Sequence, residues 1–188
     1  MLTSPLDHSQ PWEAEEYLAL GETLSRVDLI EGSLWAAPRG NAVHQDIAAN
    51  LRIAVQPEAH ASGYRTYHYV NVRLAPDTIV GPDLVVTTVR RTDDIAAEAS
   101  EVILLGEITS AGTVLFDSVL RMRLYAEAGI PWYLLIEPDM TDFSAPKARL
   151  FRLVGSNYVQ HAASGADETL TSDKPFPIAI NTADLLRF

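Results

Sequence analysis

The sequence has no cysteine, which excludes disulfides, zinc–thiolate centres and thiol nucleophiles together. It also lacks positive charge. Its 14 Lys and Arg face 25 Asp and Glu, giving a formal net charge of −11 and a pI near 4.7. A protein that holds nucleic acid by broad phosphate neutralisation has the opposite balance. Local cationic pairs exist at Arg90 and Arg91 and at Arg121 and Arg123, and an acidic chain is compatible with a carboxylate metal centre. No apolar run approaches the roughly 20 residues needed to span a bilayer. The opening "MLTSPLDHSQPWEAEEY" has no basic stretch leading into an apolar core, so no signal peptide and a cytoplasmic location are expected.

The 188 residues suit one domain, 1–188, and the 47% hydrophobic and 21% charged content is that of a folded globular chain rather than a disordered one. "WEAEEYLAL" predicts a short helix with acids in its first turn. "RVDLIEGSLWAAP" predicts two strands around Glu31–Gly32. "NAVHQDIAANLRIAV" predicts an amphipathic helix capped by Asn41, with Val43, Ile47, Leu51 and Val55 on one stripe and Pro57 and Gly63 at its exit. "YRTYHYVNVRL", "DLVVTTV" and "EVILLGEI" read as strands, with "DDIAAEAS" as a polar connection between the last two. A helix is expected over Val114–Ala128, stopped by Gly129–Ile130–Pro131. "WYLLIEP" reads as an interior strand, "ARLFRLVGSNYVQHA" as a hairpin, and "FPIAINTADLLRF" as a closing strand and short helix. The fold class is α/β, with a mixed, largely antiparallel sheet flanked by helices.

Two strands carry acids where apolar residues would pack better. Asp83 opens "DLVVTTV" after Pro82, and Glu107 shares a strand face with Ile103 and Leu105. If these strands are antiparallel neighbours, both carboxylates reach one point. Two adjacent acids repel unless a cation neutralises them, and Mg²⁺ or Mn²⁺ suits such a pair. An ion pair from Glu107 to Arg121 is the competing account of a buried acid. Asp117 and Arg121 lie four residues apart on one helix face, which a surface ion pair would also explain, and Tyr125 continues that stripe. Asp28 and Glu31 flank the first turn, and His44 falls early in the second helix.

The ordered set "GPDLVV", "GEITS" and "DSVLRMRLYAEAGIPWYLLIEPD", with "DLIEGSLWAAP" and "HQDIAANL" upstream, resembles the Uma-type bacterial family of restriction-endonuclease-like proteins in the PD-(D/E)XK nuclease superfamily. The resemblance spans nearly the whole chain. It implies a restriction-endonuclease-like core that binds Mg²⁺ or Mn²⁺ through Asp83 and Glu107 and acts on DNA. The family's catalytic lysine usually stands on the following helix, four residues before a tyrosine, and that position is Arg121 here. By the same resemblance Asp117 matches the helix aspartate, Glu31 the acid of the early turn and His44 the family histidine. The glutamate that commonly follows the turn glycine is Ser33 here. A homodimer is also expected, from the resemblance and from the alternating aromatics Tyr67 and Tyr69. The alternative is a degenerate nuclease fold that binds metal, nucleic acid or a partner without turnover; hydrolysis of a small phosphoester is a third possibility.

Overall fold

The computed structural model describes residues 10–21, 26–37, 40–88, 96–109, 116–139 and 146–187. Helix α1 (Ala14–Ala19) starts with a capping box between Glu13 and Glu16. Strands β1 (Arg26–Ile30) and β2 (Ser33–Ala37) form a hairpin through Glu31 and Gly32, both at positive φ. Helix α2 (Ala42–Ala61) follows, then β3 (Arg65–Tyr67), β4 (Asn71–Ala75), β5 (Thr78–Val80) and β6 (Leu84–Thr87). Next come β7 (Ala96–Glu98), β8 (Val102–Ile108), α3 (Phe116–Glu127) and β9 (Trp132–Glu137). The chain closes with β10 (Lys147–Val154), β11 (Asn157–Ser164), β12 (Thr169–Ser172), β13 (Ile178–Asn181) and a 3-10 turn at Thr182–Leu186.

Three sheets result. The central one has the order β11-β10-β9-β8-β6-β3, the second β2-β1-β5-β4-β7, and the third is the β12-β13 pair. Pairing is antiparallel except for β8 with β9 and β4 with β7, so the mixed, mostly antiparallel α/β expectation describes the molecule. One face of the central sheet packs Leu84, Leu104, Leu134 and Leu150 against α2 and the β12-β13 pair. Helix α2 supplies Ile47, Leu51 and Val55, each 2% exposed or less; burying such a side chain contributes roughly 1.5–3 kcal/mol. The opposite face joins Val85, Leu105, Tyr133 and Leu135 to Leu124 and Tyr125 of α3 and to Ile30, Val72 and Val80 of the second sheet.

Several elements differ from the sequence reading. Asn41 caps α2 by accepting from the His44 amide at 2.9 Å, but the helix runs through Pro57 to Ala61. Pro57 is exposed, and Ile53, whose carbonyl loses its helical donor there, faces solvent, so water can replace that bond. "YRTYHYVNVRL" is two strands in two sheets, parted at Tyr69 with φ +52°. That break parts the two tyrosines, so Tyr67 and Tyr69 do not form one aromatic strand face, although Tyr69 itself is 42% exposed. Tyr67 packs against the second core face, and the Tyr69 hydroxyl donates to Gln45 at 3.2 Å. Strands β5, β7 and β12 were not anticipated; β5 and β7 have only three residues each, too few to show alternation. Arg90 and Arg91 lie outside the described residues. Among the described residues no helix is long and apolar enough to cross a membrane.

Candidate active site

Strands β6 and β8 are antiparallel neighbours with Leu84 opposite Gly106, so the next step of the register sets Asp83 across from Glu107. Gly106 makes this approach possible. A Cβ there would stand 3.0 Å from the Leu84 Cβ, tighter than ordinary packing allows. Asp83 is 1% exposed and Glu107 7%.

Each carboxylate has its own partners. Asp83 Oδ2 accepts from the Ile108 amide at 2.9 Å and lies 3.4 Å from His44 Nε2, while Oδ1 lies 3.4 Å from Arg26 Nη1. Glu107 Oε1 accepts from Arg121 Nη1 at 2.9 Å and from the Tyr125 hydroxyl. Arg121 also donates to Tyr125 at 3.2 Å and to Asp28. Asp28 is anchored by the Gly81 amide at 3.0 Å, and Arg26 donates to the Gly81 carbonyl. The His68 ring donates from Nδ1 to the Asp83 carbonyl at 3.1 Å, which fixes the chain at the strand entrance.

These contacts split the titration of the two facing acids. Burial would raise the Asp83 pKa, but the His44 hydrogen bond, the charges of Arg26 and His44 and the Ile108 amide outweigh it and hold Asp83 below the usual carboxylate value. Burial dominates at Glu107 and, with the charge of Asp83 beside it, pushes the pKa up against Arg121, Arg26 and Tyr125. His44 is raised: burial opposes its charged form, and the Asp83 hydrogen bond and charge overcome that. Burial likewise works against the charged Arg121, yet Glu107, Tyr125 and Asp28 hold its pKa well above normal. Asp83 is thus the firmly ionised member, and Glu107 is the one whose charge depends on a neighbouring cation.

Four of the residues singled out in the sequence, Asp83, Glu107, Arg121 and His44, stand in this cluster. Glu31 does not. It sits in the β1–β2 turn at φ +48° with its carboxylate 2.8 Å from Arg123, on the exposed side of α3. The Asp117 side chain lies outside what is described. Two further members come from β1, Arg26 and Asp28, and alternation sets them on one strand face with Ile30. That same-face pair of charges leading to an apolar residue was the available signal.

The donor set suits a hard divalent cation, because it offers carboxylate oxygens and no soft ligand. Among the described residues no group of three or more His, Asp or Glu side chains is spaced to hold a metal ion, so a site here rests on two carboxylates. Two carboxylates completed by water and phosphate oxygens is a normal arrangement for Mg²⁺.

The mixed α/β core thus carries buried carboxylates at adjoining ends of β6 and β8, and comparison with known proteins gives its family and a matching fold. The family model described as "Uma2: Putative restriction endonuclease" matches residues 14–185, and the chain belongs to that family. A solved structure described as a putative nuclease belonging to DUF820, from Anabaena variabilis ATCC 29413, shares the fold. It superposes with a TM-score of 0.64 at 19% identity, covering 94% of this chain and 98% of that one. No curated protein matches the sequence.

Proposed function

We propose that the protein is a divalent-metal-dependent endonuclease that hydrolyses DNA phosphodiester bonds, with the usual helix lysine replaced by arginine. The observation that carries the proposal is the facing pair Asp83 and Glu107, buried, side by side across β6 and β8, and driven apart in pKa. These two would hold Mg²⁺ or Mn²⁺. The ion, when bound, polarises the scissile phosphate and lowers the pKa of an attacking water. Arg26, His44 and the Ile108 amide keep Asp83 ionised and pointing inward. Arg121 supplies fixed positive charge for the phosphorane oxygens but cannot accept a proton, since a guanidinium stays charged. Tyr125 orients both Arg121 and Glu107. Asp28 competes with the phosphate for Arg121; Asp117 of α3 and Glu31 enter this reading from the family pattern, and Glu31 pairs with Arg123 away from the cluster.

A single restriction-endonuclease-like domain acting in the cytoplasm as a homodimer completes this reading. Trp35, 43% exposed on the outer strand β2, is an apolar edge residue in keeping with a second copy. The alternative is a degenerate member that binds metal, nucleic acid or a partner without turnover. What favours it is the arginine already neutralising Glu107 and Asp28.

The test is cleavage of supercoiled DNA by wild type and Glu107→Ala with Mg²⁺ or Mn²⁺, alongside calorimetric titration of Mn²⁺. Metal-dependent nicking that disappears in Glu107→Ala supports the nuclease. Manganese binding lost in Glu107→Ala, with no cleavage by any variant, supports the degenerate member.

A further inference from the structure

Beyond the acid cluster, the same face of the central sheet carries a second polar feature. The pairings Glu107 with Leu135 and Leu135 with Arg149 set Glu107, Leu135 and Arg149 in one row across β8, β9 and β10. Two strand spacings separate the ends of that row, about 10 Å. At its far end lies an open cleft of about 590 Å³ lined by Glu137, Asp139, Lys147, Arg149, Ser164 and Glu168 among others.

The cleft is held in a fixed shape. Arg149 makes a two-pronged pair with Glu137, at 2.6 Å for both contacts, and its guanidinium also lies 5.4 Å from the Phe151 ring centre. Gly165 to Glu168 forms the opposite wall, tied to the fully buried Thr182. Its hydroxyl has the carbonyls of Gly165 and Glu168 at 3.1 and 3.0 Å as acceptors for its single hydrogen and accepts from the Glu168 amide at 3.2 Å. Asp167, between Gly165 and Glu168, turns the chain at φ +58°, a left-handed conformation that aspartate tolerates. Glu168 Oε2 accepts from the Gly165 amide at 2.7 Å, which orients the carboxylate.

The lining is amphoteric. Glu137 neutralises Arg149, leaving exposed Lys147 as the cation open to an anionic group and Glu168 as an acceptor open to a donor. A phosphate joined to an amino-bearing ring satisfies both, because carboxylates accept from exocyclic base amines and lysine binds phosphate as a point charge.

We propose that this cleft binds one nucleotide, with the phosphate on Lys147 and the exocyclic amine of the base on Glu168, and that in a DNA strand this is a nucleotide beside the one at the acid cluster. The strand placement rests on the nuclease reading; the nucleotide chemistry does not. The site prefers cytosine or adenine over thymine, which has no exocyclic amine.

The test is calorimetric titration in EDTA of the full chain with dCMP, dTMP and a 5′-phosphorylated oligodeoxycytidine. Wild type is expected to bind dCMP more tightly than dTMP. Lys147→Ala weakens both by about tenfold, the loss of one charge-assisted contact. Glu168→Gln keeps the acceptor for the Gly165 amide but presents an NH₂ to the base, so it abolishes the preference for dCMP. The chain has two lysines, Lys147 and Lys174, so protection of one from an amine-reactive reagent is readily resolved by peptide mass spectrometry. Protection by dCMP is expected at Lys147 alone. Tighter binding of the oligonucleotide than of dCMP assigns the cleft to a strand, and the reverse assigns it to free nucleotide. No binding by wild type at millimolar nucleotide, or equal affinities for wild type and Lys147→Ala, overturns the proposal. Nucleotide binding without DNA cleavage by wild type or Arg121→Lys leaves the cleft standing and removes the nuclease reading; cleavage without nucleotide binding does the opposite.

Discussion

Arg121 Nη1 stands 2.9 Å from Glu107 Oε1, and the same guanidinium also bonds Asp28, so one side chain of α3 neutralises acids from two different sheets. All three residues are buried. With Arg26, the arginine supplies the fixed positive charge of the acid cluster, and it ties the second sheet to the central one.

Removing it is costly. Arg121→Ala leaves Glu107 buried without its counter-charge and Asp28 with only the more distant Arg26 at 3.8 Å, and loss of one partner from a buried pair costs about 3–5 kcal/mol. Urea unfolding in EDTA should show that loss. Mn²⁺ should then raise the melting temperature of Arg121→Ala more than that of wild type, because the ion takes over the neutralising role. A destabilisation under about 1 kcal/mol, the scale of a surface pair, would remove the clamp from this account.

The parts of this site that were legible in the sequence are those announced by a local contradiction. Glu107 is an acid inside "VILLGEI", and Asp83 an acid against "LVV"; burial makes such positions conspicuous. Arg121 was reachable through the family resemblance, because its spacing to Asp117 and Tyr125 alone fits a surface pair equally well. Asp28 looked like a turn-flanking acid, since nothing in "RVDLIEG" reveals that β1 lies beside β5, whose following Gly81 amide holds its carboxylate. Glu31, three residues on, is the acid that the family pattern points to. Alternation with Arg26 and Ile30 favours Asp28 over Glu31, but the partners that hold Asp28 follow from sheet order, a long-range property. The positive φ of Tyr69, which sends β3 and β4 into different sheets, has no compositional cue either.

The His44–Asp83 contact sets a pH dependence. The folded His44 pKa is raised above its ordinary 6.5, so its stabilisation is fully present below the unfolded value and is lost as pH rises through the folded one. The folded Asp83 pKa is lowered, so its contribution is present above the ordinary 3.8 and is lost as pH falls through the folded value. In EDTA, the stability gap between wild type and His44→Gln should be roughly 1–2 kcal/mol near pH 6 and shrink on the alkaline side. A gap that widens from pH 6 to pH 9 would mean that His44 is not bonded to Asp83 in its charged form.

Gly106→Ala probes the strand approach. The added methyl meets the Leu84 Cβ at 3.0 Å and Cδ2 at 3.4 Å, and Leu84 directly follows Asp83. Overpacking of this kind costs about 1–3 kcal/mol. Relief by a shift of β6 carries Asp83 away from Glu107. Mn²⁺ affinity measured by calorimetry should therefore fall together with the urea midpoint. Unchanged affinity in a destabilised variant would separate metal binding from the β6–β8 spacing.

Arg121→Lys tests what the arginine does to chemistry. Lysine has one nitrogen where arginine sends Nη1 to Glu107 and Nη2 to Asp28, so the substitution should give up one of these two charge-assisted bonds and cost roughly 1.5–3 kcal/mol in EDTA. In return, lysine is a compact charge whose pKa shifts when buried, and it can position or deprotonate water where a guanidinium cannot. Proton handling of this kind is typically worth about 10²–10⁴ in rate. Nicking of supercoiled DNA with Mg²⁺ or Mn²⁺ should accordingly rise, or first become measurable, in Arg121→Lys and vanish when Glu107→Ala is added. The assay is run below the melting transition of each variant, so that lower stability does not mask the gain. Full-rate cleavage by wild type, lost in a folded Arg121→Lys, would show instead that two-pronged contact is what the reaction uses and that arginine is the competent residue at this position.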